Sequence, residues 1–142
     1  VGRLAREKGI LCNVVDAPEE GSFIVPSTVE RGPLTIAIST SGISPTLAAS
    51  IRQELELAYG EEYGAILELL ASLRPLVLRE LASPQARQHI FDRMIAGRAL
   101  SLLRSGLKDQ ARKELEDIMN EARQDPALNA PAGSLPIVNP PQ

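Results

Sequence analysis

Two clusters in this 142-residue sequence carry side chains suited to chemistry. The first is Asn13-Val14-Val15-Asp16-Ala17-Pro18, preceded by Ile10-Leu11-Cys12. A short apolar run ended by a polar turn predicts a strand over 10–15, buried on both faces. Pro18 cannot continue a central strand, and it pushes Ala17 toward an extended or turn conformation. Asp16 falls where that strand stops. In open α/β sheets ligands bind just outside the carboxyl ends of the strands, where a carboxylate can serve as a general base. Asp is equally a good turn residue, so position alone leaves both readings open.

The second cluster is Ser39-Thr40-Ser41-Gly42-Ile43-Ser44-Pro45. Ser44 suits a helix N-cap and Pro45 the first helical position. A hydroxyl-rich loop with one Gly, followed by a helix N-terminus, can bind anions through backbone N–H groups and the helix dipole. Ser/Gly clusters before helices also occur as plain loops. No Lys follows Gly42, so this is not a P-loop. His89 is the only histidine and Cys12 the only cysteine. No second His or Cys is in phase with His89, which reads as a surface or half-buried residue rather than a metal ligand. Cys12 reads as a buried structural thiol of a reducing cytoplasm, and one cysteine excludes an intrachain disulfide.

The elements that must position these clusters follow from periodicity. Residues 2–8 predict a helix stopped by Gly9. Such a helix feeding a buried strand is the second half of a βαβ unit. The chain does not open with Met, and the expectation is that it is a C-terminal piece of a longer protein. Ser22–Ser27 predicts an edge or irregular strand because of Pro26. Leu34–Ser39 alternates, with Leu34, Ile36 and Ile38 on one face, and predicts a strand with one dry side. Helices are expected near 45–58, 61–82, 84–96 and 107–123, with a kink or break near Arg74 caused by Pro75. The tail 126–142, rich in Pro, is expected to be extended or disordered. A strand pair alone over 22–40 would expose an edge and an apolar face, which predicts a homodimer through that segment.

Composition sets the outer bounds. The chain is 44% hydrophobic, 23% charged and 3% aromatic, with a net charge of −3. That is ordinary for a globular protein whose core is built of Leu, Ile, Val and Ala. There is no basic stripe with interleaved aromatics, so nucleic acid is not an expected partner. No apolar run approaches the ~20 residues of a membrane helix. The charges over Lys108–Asp125 read as a solvated helix face.

Gly9-Ile10-Leu11-Cys12-Asn13-Val14-Val15-Asp16-Ala17-Pro18, Ser22-Phe23-Ile24-Val25-Pro26-Ser27, Pro33-Leu34, Ser39-Thr40-Ser41-Gly42 and Ser44-Pro45, at these spacings, resemble the siroheme synthase family, the precorrin-2 dehydrogenase/sirohydrochlorin ferrochelatases. The resemblance is strong over 1–58 and looser to about 105. It implies an α/β plus α fold. Residues 1–21 would be the last helix and strand of a Rossmann-type NAD-binding domain, 22–58 a dimerisation region with strands and a helix, and 59–125 a helical domain. It implies a cytoplasmic homodimer that oxidises precorrin-2 to sirohydrochlorin with NAD, many members also inserting ferrous iron. Asp16 matches the family's catalytic carboxylate. The substrate is a tetrapyrrole polycarboxylate, which assigns Asn13, Ser39, Thr40, Ser41, Gly42 and Ser44 to substrate binding. The Gly-rich NAD fingerprint is absent from these residues, and Ser41 stands where members often have Gly. The competing expectation is a helical dimerisation or interaction module without catalysis.

Overall fold

The structure is a computed structural model and describes residues 2–14 and 17–129. Val15, Asp16 and the tail from residue 130 therefore lie outside the described residues. The chain divides after Gly60 into two compact units.

The first unit opens with α1 (Gly2–Glu7). It ends as Gly9 predicts. The Ile10 amide donates to the Ala5 carbonyl at 2.9 Å and the Gly9 amide to that of Arg6 at 3.2 Å, with φ +65° at Gly9. These paired bonds form a Schellman cap, which needs a left-handed residue. Gly2 is buried against a 3-10 turn at Pro18–Glu20, where a Cβ would sit 2.2 Å from the Glu20 carbonyl oxygen.

The buried strand expected over 10–15 is not formed over its described part. Residues 10–14 have no regular structure, and Ile10 and Leu11 are 58% and 77% exposed. Their apolar character suits a central strand, yet a strand needs neighbours for its N–H and C=O groups. Past Ile10, among the described residues, Ser22 alone supplies them. The Ser22 amide donates to the Cys12 carbonyl at 2.7 Å, and the Cys12 amide donates to Ser22 Oγ at 2.8 Å. Cys12 is accordingly half-buried rather than a core thiol.

The sheet is an antiparallel hairpin of β1 (Ser27–Arg31) and β2 (Leu34–Ile38). The expected 22–27 strand is thus displaced toward the turn. Gly32 and Pro33 close the hairpin with Arg31 opposite Leu34. Gly32 has φ +54° and the Pro33 ring holds φ negative, the pattern of a II′ turn. That turn sets the register, so Val29 lies opposite Ile36 and Ser27 opposite Ile38. The face carrying Val29, Ile36 and Ile38 packs on α2 (Pro45–Ala58), and Val29 is 1% exposed. Arg31 ties the hairpin to the end of α2, donating from Nε to the Tyr59 carbonyl (3.0 Å) and from Nη2 to that of Glu56 (3.1 Å). Carbonyls at a helix C-terminus lack intrahelical donors, and a guanidinium supplies them.

The second unit is helical: α3 (Glu61–Glu80), α4 (Pro84–Ala96), α5 (Ala99–Arg104), α6 (Lys108–Gln124) and α7 (Pro126–Asn129). Of the kink or break expected near Arg74, no break occurs: α3 is one continuous helix through Pro75. Pro75 removes one N–H and crowds the Ala71 carbonyl, at a cost of about 3 kcal/mol. Burial of Leu69 and Val77 on either side offsets it. Leu81, Ile90, Met94, Leu115 and Met119 are almost fully buried in one core. Ser83 caps α4 as expected, its Oγ accepting from the Ala86 amide at 3.0 Å. α5 has no counterpart among the expected helices; it is a turn and a half long and ends at Gly106 (φ +76°) in a second Schellman cap. α7 replaces the start of the expected extended tail, with Pro126 at its first position.

Candidate functional site

The loop between β2 and α2 has a defined shape. The Ile43 amide donates to the Thr40 carbonyl at 3.0 Å, and the two residues between, Ser41 and Gly42, have φ +54° and +78°. This is a type I′ turn, which requires left-handed backbone at both central positions. Gly42 adopts it at no steric cost, whereas Ser41 is the one non-Gly residue with positive φ among the described residues. Ser44 caps α2 as its type predicts, Oγ accepting from the Leu47 amide at 3.2 Å. Thr40 Oγ1 accepts from the Ser44 amide (3.2 Å) and donates to the Ser44 carbonyl (3.1 Å). Ser39 Oγ accepts from the Ser41 amide at 3.2 Å.

Beside this loop lies a cavity of about 320 Å³. One wall is Ser39, Thr40 and Gly42, with Pro45 and Ala48 from the start of α2. The other is Ile24, Val25, Pro26 and Ser27, with Ile38 between them. Ile24 and Val25 are 42% and 61% exposed, an unusual degree for side chains that border a cavity. The site therefore joins hydroxyl and amide donors to an open apolar surface. Such a pairing suits a ligand with an apolar body and anionic substituents.

Of the sequence-expected residues, the structure brings Ser39, Thr40 and Gly42 together on this cavity. Ser41 and Ser44 shape the turn and cap the helix behind it. Asn13 is exposed on the irregular 10–14 segment and does not line the cavity. Asp16 lies outside the described residues. The apolar wall is missed by sequence reasoning because Ser22–Ser27 reads as a strand. Its signal is the Pro26 that stops pairing and leaves Ile24 and Val25 uncovered. His89 is exposed on α4, and no metal-ligating cluster exists among the described residues. No helix among them is long and apolar enough to cross a membrane.

In the second unit several charged groups pair with one another. Arg98 bonds Glu114 at 2.8 Å, and Arg123 bonds Glu80. These bonds hold the Glu114 and Glu80 carboxyls below the usual carboxylate range and raise the two guanidiniums. Arg104 holds Glu62 by two bonds, of 3.0 and 2.8 Å. A wider cleft of about 450 Å³ between α4 and α6 is lined by Arg93, Glu114, Asp117 and Glu121, with Arg93 bonded to Glu121 at 2.6 Å. These are exposed ion pairs that order a surface.

Comparison with known proteins places these units. Residues 1–27 match a family model described as putative NAD(P)-binding, 31–57 one described as sirohaem biosynthesis protein central, and 62–119 one described as sirohaem synthase dimerisation region. A siroheme synthase of Methylococcus capsulatus is 35% identical over 122 residues, covering 86% of this chain and 26% of that protein. The siroheme synthase of Nitrosomonas europaea is 33% identical over 138 residues, 97% of this chain and 28% of that one.

The chain belongs to the siroheme synthase family.

It spans about a quarter of the length of these relatives. Among solved structures, SirC, precorrin-2 dehydrogenase, is 27% identical with a TM-score of 0.56, over 68% of this chain and 48% of that one. The family's description of a dimerisation region falls on 62–119, within the helical unit, whereas the expectation from sequence places dimerisation in 22–58. The cavity loop lies in the stretch matched by the siroheme synthase central region, which spans β2 and most of α2. The non-catalytic interaction module is not favoured by these matches.

Proposed function

We propose that this chain is part of an enzyme that oxidises precorrin-2 to sirohydrochlorin with NAD as electron acceptor. The observation that carries the reading is the cavity beside the Ser39–Ser44 loop, where donors and an apolar wall face one space. The matches to siroheme synthases and the likeness to a precorrin-2 dehydrogenase support it. In this reading the macrocycle lies against Ile24, Val25 and Ile38, and its carboxylates take hydrogen bonds from the loop. Residues 1–21 close a nucleotide-binding domain, 22–58 hold the substrate, and 59–125 form the helical domain of a homodimer.

The residues of this chain do not fit a whole dinucleotide site. The putative NAD(P)-binding stretch 1–27 has Gly2, Gly9 and Gly21 but no G-x-G-x-x-G turn to cradle a pyrophosphate. Electron acceptance is what NAD supplies when bound; the residues here act on the tetrapyrrole. Asp16 is the general base that accepts a proton lost from the macrocycle during oxidation. Asn13 orients either that carboxylate or the substrate.

Asp16→Asn in the gene product that carries this sequence tests the assignment. The amide keeps the shape and removes the base, which is expected to lower dehydrogenase turnover at least about 10²-fold. Circular dichroism is expected to be unchanged. Near wild-type turnover by the folded variant would make Asp16 a turn residue only.

A further inference from the structure

Of the four hydroxyls of the 39–44 loop, those of Ser39 and Thr40 belong to residues that border the cavity, as Gly42 does, and their hydrogen bonds divide them. A carboxylate accepts and never donates, so a useful partner must have a proton to give. A threonine hydroxyl has one proton. That of Thr40 is given to the Ser44 carbonyl at 3.1 Å, while the same oxygen accepts from the Ser44 amide at 3.2 Å. Thr40 lines the cavity yet has no proton left for a ligand there. Ser39 differs. Its Oγ only accepts, from the Ser41 amide, so its proton is uncommitted among the described residues. The Gly42 amide is likewise without an intrachain acceptor among them. Both residues border the cavity.

We infer that Thr40 is a positioning residue: by clamping both backbone groups of Ser44 it fixes the turn that holds the Ser39 hydroxyl and Gly42 amide at the cavity wall, where those two bond a substrate carboxylate. The inference rests on the reading of the cavity as a tetrapyrrole site. The clamp spans the I′ turn from its first residue to the helix cap, so it sets where residues 41–43 sit. Left-handed backbone at Ser41 is unfavourable for a side-chain-bearing residue, and the two Thr40 bonds help to hold it. Removing them frees the turn without removing either of the two donors proposed to bond the carboxylate.

Steady-state kinetics of the gene product test this with Thr40→Val, Thr40→Ser and Ser39→Ala. Thr40→Val keeps the shape and loses both bonds. It is expected to raise KM for the tetrapyrrole about tenfold, the scale of one to two lost hydrogen bonds. kcat and KM for NAD are expected to stay within about threefold, because both bonds of the clamp go to the Ser44 backbone. Thr40→Ser keeps the hydroxyl and is expected to restore KM to within about twofold. Ser39→Ala is expected to raise KM similarly, and the double variant Ser39→Ala/Thr40→Val no further than the worse single one, because both act on one contact. Amide hydrogen exchange at Ser44 adds a readout without turnover, expected to accelerate in Thr40→Val alone. A wild-type KM in Thr40→Val, or equal loss in Thr40→Ser, would overturn the clamp while leaving the proposed reaction standing. A wild-type gene product that neither binds nor oxidises the tetrapyrrole would overturn the reaction, and the clamp's role with it.

Discussion

The two units of this chain solve the burial problem differently. From Glu61 on, fourteen hydrophobic side chains among the described residues fall into one buried cluster, running from Ile66 to Leu128. In the first unit, which ends at Gly60, the buried hydrophobic residues are Val29 and Ala48 among the described ones. The same stretch leaves Ile10, Leu11, Phe23, Ile24, Val25, Ile43, Leu47 and Leu57 exposed. A helical unit closes its own core because every turn of an amphipathic helix offers an apolar stripe to the next. A two-stranded hairpin with one helix has one sheet face to cover and little to cover it with. The region with open apolar surface is also the region with the cavity and the hydroxyl loop. Surface that is left uncovered is surface available to ligand or partner.

Core truncation gives the largest expected contrast. Leu81→Ala, at a fully buried site, is expected to cost about 2–5 kcal/mol in chemical denaturation. Leu57→Ala, at a residue 90% exposed, is expected to change stability by less than about 0.5 kcal/mol. Equal losses would break the contrast between the two regions.

Self-association sharpens it next. A homodimer is expected for the gene product, and the open apolar segment at 22–40 is the proposed contact. Phe23→Lys, at an exposed apolar residue of that segment outside the cavity lining, places a charge there and is expected to weaken dimerisation at least about tenfold in light scattering over a dilution series. An unchanged dimer would move the contact to residues 62–119, the part whose family model is described as the dimerisation region.

The smallest effect is electrostatic and confined to the helical unit. Arg123 and Arg98 hold the Glu80 and Glu114 carboxyls below their ordinary values. A carboxyl whose folded value is depressed stabilises fully above its unfolded value, about 4.3, and loses that contribution as pH falls through the folded value. Tm is therefore expected to drop as pH falls below about 4.3 toward the depressed folded values, and to drop less in Glu80→Gln/Glu114→Gln. The difference is expected to be a few degrees at most, since these pairs are exposed and screened. Raising salt is expected to shrink it further.

Much of this molecule was legible in residue order because its signals are local. Ser44-Pro45 and Ser83-Pro84 start α2 and α4 where a side-chain cap and a ring-fixed φ favour a helix. Gly9 ends α1 because the left-handed cap residue is next to the helix it stops. The alternation of Leu34, Ile36 and Ile38 shows which face of β2 turns inward, though that face is half-buried rather than dry. Each needs only neighbours within a turn or two of chain.

What tertiary structure decided depends on groups distant in sequence. Ile10–Val14 has the composition of a buried strand, but a strand exists only where another segment meets its backbone, and past Ile10 only Ser22 does so among the described residues. β1 begins at Ser27 because the Gly32-Pro33 turn sets the register from its far end. α3 continues through Pro75 because the packing of Leu69 and Val77 outweighs one lost hydrogen bond. The 39–44 loop shows the difference most plainly. Its residue types mark it as a place for anions, and in sequence all its hydroxyls look alike. Only the folded backbone, by giving the Thr40 proton to Ser44 and leaving that of Ser39 uncommitted, separates the residue that builds the site from the one that can serve it.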